Sequence, residues 1–192
     1  NNLLKPSDGR PVAVPTQDMI LGSYYLTLEK PGEPGEGKAF RNVEEAIMAY
    51  DEGIITLHSS VKIRMKKTIN GVEYTRLVPT TLGKVIFNNP IPQDLGFVDR
   101  NDPEKKFDLE IGFKVRKKEL GKIIDKCLKV HGTPMTAQVL DKIKAMGYKY
   151  STKAAITVAV CDATIPPEKK DILANADAQV QEINEYFNNG FI

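Results

Sequence analysis

Gly32, Gly37 and Lys38 stand at the G-x-x-x-x-G-K spacing of a phosphate-binding loop, within the stretch PGEPGEGKAF at residues 31–40. Such a loop surrounds phosphate with backbone N–H groups, carries its lysine toward the terminal phosphates, and follows the lysine with Ser or Thr to hold magnesium. Here Ala39 takes the hydroxyl position, Glu33 and Glu36 place negative charge inside the loop, and Pro34 removes one donor. These differences fall on the features that give the motif its mechanism. The stretch therefore reads as a surface loop joining a strand-like run, Tyr24-Tyr25-Leu26-Thr27-Leu28, to a helix.

The other reactive side chains are scattered. His58, His131, Cys127 and Asp141 could be assembled into a nucleophile and base, but no local signature groups them. The two cysteines, Cys127 and Cys161, form no C-x-x-C pair, so neither a structural zinc site nor a disulfide framework is expected. Asp162 ends an apolar run, where catalytic carboxylates often sit and where a helix N-cap ahead of Ile165-Pro166 explains an acid equally well. Two cationic stretches, Lys62, Arg64, Lys66 and Lys67, and Arg116-Lys117-Lys118, could line a path for phosphates or simply face solvent. The residues alone describe an α/β protein with no self-contained active site.

A chain of 192 residues, 41% hydrophobic, can build one large domain or two small ones around a real core. A net charge of +2 does not mark a dedicated nucleic-acid binder, so any anion-binding surface must be local. The apolar run from Ala154 to Val160 falls far short of the ~20 residues of a membrane span, and a soluble, cytoplasmic protein is expected.

The elements that must position these groups alternate in type. Residues 1–30 read as turns between short extended pieces, Val12-Ala13-Val14 and Ile20 to Leu28. Asn42 caps a short helix with Val43, Ala46, Ile47 and Tyr50 on one face, and Gly53 ends it. From Ile55 to Met65 the period is two, and Asn70-Gly71 joins this strand to Val72–Val78 as a hairpin. Residues 80–87 combine a threonine cap with a Val-Ile-Phe run that suits either element; the reading taken is a short helix. Residues 99–108 read as an exposed loop.

Two amphipathic helices follow, one through Leu120, Ile123, Ile124, Cys127 and Leu128, the other through Val139, Leu140, Ile143 and Met146, separated by Gly132-Thr133-Pro134. The β-branched run Ile156 to Val160 predicts a buried strand. Pro166-Pro167 opens a last helix whose Leu173, Ala176, Val180, Ile183 and Phe187 repeat at three and four, the seam of a coiled coil. The fold class is mixed α/β (α+β), with short strands and a β-hairpin in the first half and amphipathic helices in the second, ending in one arm of a coiled coil.

The run from Asn1 to Pro11, with Val14-Pro15-Thr16-Gln17-Asp18-Met19-Ile20-Leu21-Gly22-Ser23-Tyr24-Tyr25-Leu26-Thr27, closely resembles the beta-prime subunit family of bacterial DNA-directed RNA polymerase. The likeness continues in order through Gly35-Glu36-Gly37-Lys38, Glu45-Ala46, Thr80 to Asn88, Gly147-Tyr148-Lys149-Tyr150-Ser151-Thr152 and Ile165-Pro166-Pro167-Glu168-Lys169. It covers essentially the whole chain. The resemblance implies an internal piece of a nucleotidyltransferase, lying after the aspartates that bind catalytic magnesium and before the bridge helix and trigger loop. Alone it should be inactive, with no cofactor of its own. It implies a pore domain over residues 1–165, the wall of the secondary channel that admits nucleoside triphosphates and passes the 3′ end of backtracked RNA. Residues 166–192 would be the first helix of the coiled coil at the channel rim.

By the same resemblance Gln17, Asp18, Lys117 and Lys118 line the pore, and Leu173, Val180 and Ile183 lie on the rim helix where Gre-type cleavage factors dock. The implied partners are the beta, alpha and omega subunits, nucleoside triphosphates and the nascent RNA 3′ end, with DNA reached only through the whole enzyme and no membrane. A docking module without nucleotide contacts of its own is the alternative, and a freestanding enzyme the distant third. The chain departs from many relatives at Lys153-Ala154-Ala155, where they read Arg-Ser-Gly, and at Cys161-Asp162, where they carry Asp-Asp. Of an alarmone site known in proteobacterial relatives only Asp141 matches, with Pro134 and Ala145 in place of a lysine and a tyrosine, so that site is not carried over.

Overall fold

A computed structural model describes residues 4–7, 9, 11–69, 72–102 and 104–191. The chain divides into two compact units, Asn1–Ile156 and Thr157–Ile192. In the first, helix α1 (Asp18–Thr27) is followed by the glycine loop, a two-residue strand β1 (Ala39–Phe40) and helix α2 (Val43–Asp51). Strands β2 (Val61–Ile69) and β3 (Val72–Thr80), a short helix α3 (Leu82–Asn88) and a long helix α4 (Lys117–Ala154) complete it. The second unit holds a single turn of 3-10 helix at Val160–Asp162 and helix α5 (Lys169–Asn188).

The expected strand from Ile20 to Leu28 is helix α1. Its buried face, Gly22, Ser23, Leu26 and Thr27, has helical spacing but contains only one large apolar residue, so no hydrophobic period advertises it. Ser23 and Thr27 turn their hydroxyls back onto the Met19 and Ser23 carbonyls, at 2.7 and 2.9 Å, and so enter the core with their polar atoms paired. The β propensity of the Tyr-Tyr-Leu-Thr run loses to this packing. Val12-Ala13-Val14 forms no strand either.

Helix α2 starts where predicted, the Asn42 side chain accepting from the Glu45 N–H at 2.9 Å, and the chain turns at Gly53 with φ 72°. The period-two run begins later than expected. Ile55 and Leu57 are buried, but in a turn tied by Ser59 Oγ, and the strand begins at Val61. β2 pairs antiparallel with β3 from Val61 opposite Thr80 to Ile69 opposite Val72, and β1 pairs parallel with β2 through Ala39 and Phe40. The hairpin is therefore present, while Asn70-Gly71 itself lies outside the described residues. Thr81 caps α3, accepting from the Lys84 N–H at 3.2 Å, which settles the helix-or-strand ambiguity of this stretch.

The core of this unit gathers Leu26, Ile63, Leu82, Phe87, Ile111 and Ile123 around α1 and α4. Residues 99–108 are less open than a solvated loop. Phe107 is buried, and Arg100 reaches back to the carbonyls of Gln93, Lys106 and Asp108 and to the fully buried carboxylate of Glu110 at 2.6 Å. The two helices expected on either side of Gly132-Thr133-Pro134 are both present as the two halves of α4, parted where the backbone leaves helical geometry at Gly132, φ 73°.

The buried strand predicted for Ile156 to Val160 is absent. Val158 and Val160 are 85% and 94% exposed, and no described strand pairs with the run. β-branched residues favour extended backbone, but a strand needs a ladder partner and a surface to cover.

Candidate functional site

The glycine loop spends its donors on itself. Gly32 N–H donates to Glu36 Oε2 at 2.7 Å, Glu36 N–H to the Glu33 carbonyl, Gly37 N–H to the Ser60 carbonyl at 2.8 Å and Lys38 N–H to the Gly35 carbonyl. A phosphate would have to displace a carboxylate already seated on the loop, and a helix rather than a strand precedes it. The near match to a phosphate loop is an accident of a turn.

The scattered reactive residues stay scattered. Cys127 is buried against the Thr136 hydroxyl, His131 Nε2 meets Asp94 at 2.7 Å, and Asp141 is an exposed partner of Lys144. His58 is 4% exposed; its Nδ1 lies 3.1 Å from the Leu28 carbonyl, and its ring stands edge-on to Tyr25 with centroids 4.5 Å apart. Burial pushes the His58 pKa below its ordinary value and that of Tyr25 above it. Asp162 accepts from the Ala159 N–H at 2.8 Å, so it ties the start of the 3-10 turn behind it and does not cap a helix ahead of Ile165-Pro166. Among the described residues no group of three or more His, Cys, Asp or Glu side chains converges as a metal site would require.

Gln17 and Asp18 form the N-terminus of α1. Gln17 takes φ 48° and ψ −124°, a conformation side chains rarely adopt, and its exposed amide caps nothing. Lys117 and Lys118 open α4 behind Arg116, so three cations crowd the positive end of a helix dipole, which disfavours each by about 0.3–1 kcal/mol. Glu119 alone offsets them, accepting from the Arg116 N–H at 3.2 Å. Among the described residues no hydrogen bond or ion pair links Gln17 or Asp18 with Lys117 or Lys118. Lys118 instead lines an open groove of about 700 Å³ with Lys5, Pro11, Val14, Lys122 and Lys129. Sequence reading missed this groove, although lysines at 118, 122 and 129 keep the spacing of one helical face.

The motifs that run through the chain in order prove to be packing sites. Gly22 abuts Gly147, Gly83 abuts the Leu26 carbonyl, and Lys84 holds Glu29 at 2.6 Å, which keeps that carboxyl below its ordinary pKa. Asn88 mimics a strand neighbour, exchanging hydrogen bonds of 2.9 Å with both the N–H and the carbonyl of Ile111. In the second unit Leu173, Val180 and Ile183 all lie exposed on α5.

The described residues of the first unit build a mixed α/β fold held by close glycine contacts. The chain belongs to the family described as RNA polymerase Rpb1, domain 3, whose model matches residues 2–163. It is 57% identical over 192 residues to the DNA-directed RNA polymerase subunit beta' of Acetivibrio thermocellus, 56% to that of Clostridium novyi and 55% to that of Thermoanaerobacter pseudethanolicus. Each match takes in 100% of this chain and 16% of the relative's length. No helix among the described residues is long and apolar enough to cross a membrane.

Proposed function

We propose that this chain acts in DNA-directed RNA synthesis as a wall of the polymerase's secondary channel, through which nucleoside triphosphates enter and the backtracked RNA 3′ end leaves. The observation that carries the reading is the 57% identity, along the whole chain, to a subunit beta'. Residues 1–165 form the pore portion and residues 166–192 the rim helix. Gln17, Asp18, Lys117 and Lys118 face the passage. An exposed amide, a carboxylate and two ammonium groups that lack partners within the described structure make weak, multiple contacts, which is what a conduit for polyanions with their magnesium needs. The beta, alpha and omega subunits complete the enzyme in the cytoplasm, at the nucleoid, and the catalytic magnesium is held by the aspartate motif of beta-prime, outside this segment. In an intact polymerase Lys117→Ala should shift pausing or the stability of backtracked complexes while phosphoryl transfer in paused-free synthesis persists. A variant matching the parent in pausing, backtracking and cleavage assays overturns the pore role.

The exposed stripe on α5 favours a second emphasis, docking of Gre-type factors without nucleotide contacts. Binding of such a factor that Val180→Glu abolishes, with Lys117→Ala silent in the assays above, would select it.

A further inference from the structure

Strand β3 forms one edge of the sheet, and its outward backbone groups follow from the ladder. Lys62 N–H donates to the Lys38 carbonyl at 2.8 Å, so the backbone of Lys62 faces β1 and turns away from β3. Along an antiparallel pair this facing alternates residue by residue. With Lys62 opposite Pro79 and Arg64 opposite Leu77, the N–H and C=O groups of Thr75 and Leu77 point outward, and those of Arg76 and Val78 point to β2. Pro79 shares the outward register and has no N–H to offer, which blunts the edge at that end. At Thr75 and Leu77 the usual protections of an edge are missing. The ladder runs from Val61 opposite Thr80 to Ile69 opposite Val72 without a bulge, and neither residue carries charge. Both are exposed, Leu77 at 43%, and no hydrogen bond among the described residues engages their outward groups. Glu104 and Lys106 meet β3 through side chains of its other face, Arg76 donating to the Glu104 carbonyl at 2.6 Å and Lys106 lying 5.0 Å from the Tyr74 ring centroid.

We propose that this edge takes up an extended segment of a partner protein as a further strand, with acidic side chains on one face of that segment and apolar ones on the other. Main-chain pairing with Thr75 and Leu77 holds such a segment, and the flanking side chains choose it. Lys62 and Arg64 share the face of Leu77, are exposed, and their side chains form no ion pair or hydrogen bond among the described residues. Strands lie about 4.8 Å apart, so these long side chains, one strand in from the edge, can lie across Leu77 and reach a carboxylate on the incoming strand. On the opposite face the incoming side chains meet Tyr74, 43% exposed, which suits an apolar neighbour across the strands. A phosphodiester strand is the rival occupant of the cations, but its backbone lacks the alternating N–H and C=O groups that this edge calls for. None of Gln17, Asp18, Lys117 and Lys118 takes part, so the edge stands apart from the pore reading.

The test is residue-resolved amide exchange of the 192-residue chain with a peptide of alternating Glu and Val, beside fluorescence anisotropy of the same peptide carrying fluorescein. At saturation the Thr75 and Leu77 amides should exchange about tenfold more slowly or better, while those of Arg76 and Val78, already turned to β2, change little. Thr75→Pro removes an outward donor and cuts no bond to β2, so it should weaken binding about tenfold, whereas Thr75→Ala should leave it within about twofold. Arg64→Glu should weaken it about threefold or more and favour a Lys-Val peptide instead. If Thr75→Pro melts early, a Glu-Val peptide methylated on alternate backbone nitrogens replaces it, and the same loss is expected on the unaltered chain. Absence of saturable binding, equal binding of a peptide with the same residues in two blocks, no loss with either backbone block, or tighter binding of an oligouridylate of equal length overturns the proposal. So does a dimer of the chain that Thr75→Pro dissolves while no peptide binds, which would give the edge to a second copy.

Discussion

Gly22 of α1 and Gly147 of α4 meet so closely that a β-carbon on Gly22 would lie 1.9 Å from the carbonyl oxygen of Gly147. The reverse contact also leaves no room, since a β-carbon on Gly147 would stand 2.7 Å from the Cα of Met19. Backbone meets backbone here, and no flexible side chain can yield. Alanine raises helix propensity by up to about 1 kcal/mol, but at either glycine it must push two helices apart, at about 1–3 kcal/mol or more. Gly22→Ala and Gly147→Ala are therefore expected to lose about 2 kcal/mol in chemical denaturation. Gly121→Ala, where nothing lies within 4 Å, should gain about 0.5–1 kcal/mol.

That contact also shows where sequence reading stops. The caps at Asn42 and Thr81 and the hairpin between β2 and β3 are local, and each was legible because neighbouring residues carry its signal. Helix α1 was not, because its buried face is Gly, Ser, Leu and Thr, and distant residues, Gly83, Val115 and Gly147, make that face an interface. The run Ile156 to Val160 failed in the opposite sense: its propensity is local, but the ladder it would need is absent among the described residues. For the site, Lys117 and Lys118 were singled out through the family resemblance, while the groove was not legible, since Lys5 meets Lys118 only through the fold.

Ala155 closes α4 in the left-handed conformation, φ 49° and ψ 38°. Its β-carbon makes that geometry costly, and glycine removes the cost. Ala155→Gly is expected to stabilise the chain by about 1 kcal/mol, and Ala155→Val to destabilise it, both read from denaturation midpoints.

The Glu110 carboxylate is fully buried and serves both the Phe97 N–H and Arg100. Removing it leaves a guanidinium and a backbone donor without their acceptor, and breaking such a pair costs about 3–5 kcal/mol. Glu110→Ala should lose stability in that range by urea denaturation. Lys105→Ala, at the exposed pair with Asp102, should leave it nearly unchanged.

Burial holds the folded His58 pKa below the ordinary 6.5, with the Leu28 carbonyl and Glu33 opposing and Lys30 assisting. The unfolded chain then binds the proton more readily, so stability is full above about pH 6.5 and falls as pH drops through the window beneath it. The melting temperature is expected to decline from pH 7 toward pH 5. His58→Asn, whose amide can still donate to Leu28, should flatten that slope. Glu29, held low by Lys84, acts in a separate window beneath 4.5.

Helix α5 presents Leu173, Val180, Ile183 and Phe187 to solvent at 52, 56, 55 and 67% exposure, with Ala176 between them at the same three-four spacing. A helix of 20 residues gains little from propensity alone, and an apolar stripe kept in register over several turns is a drive to pair along its length. In the proposed polymerase setting that partner is the second arm of a coiled coil. In the 192-residue chain by itself a second copy can take the same place. Burying each large seam residue contributes about 1.5–3 kcal/mol, so several together hold a dimer at high concentration while dilution releases it. Sedimentation over a concentration series should show mass rising above the monomer, and Val180→Glu should abolish the rise by setting a charge in the middle of the seam. A chain that stays monomeric throughout, with α5 helicity untouched by Val180→Glu, would show that the stripe is not an interface.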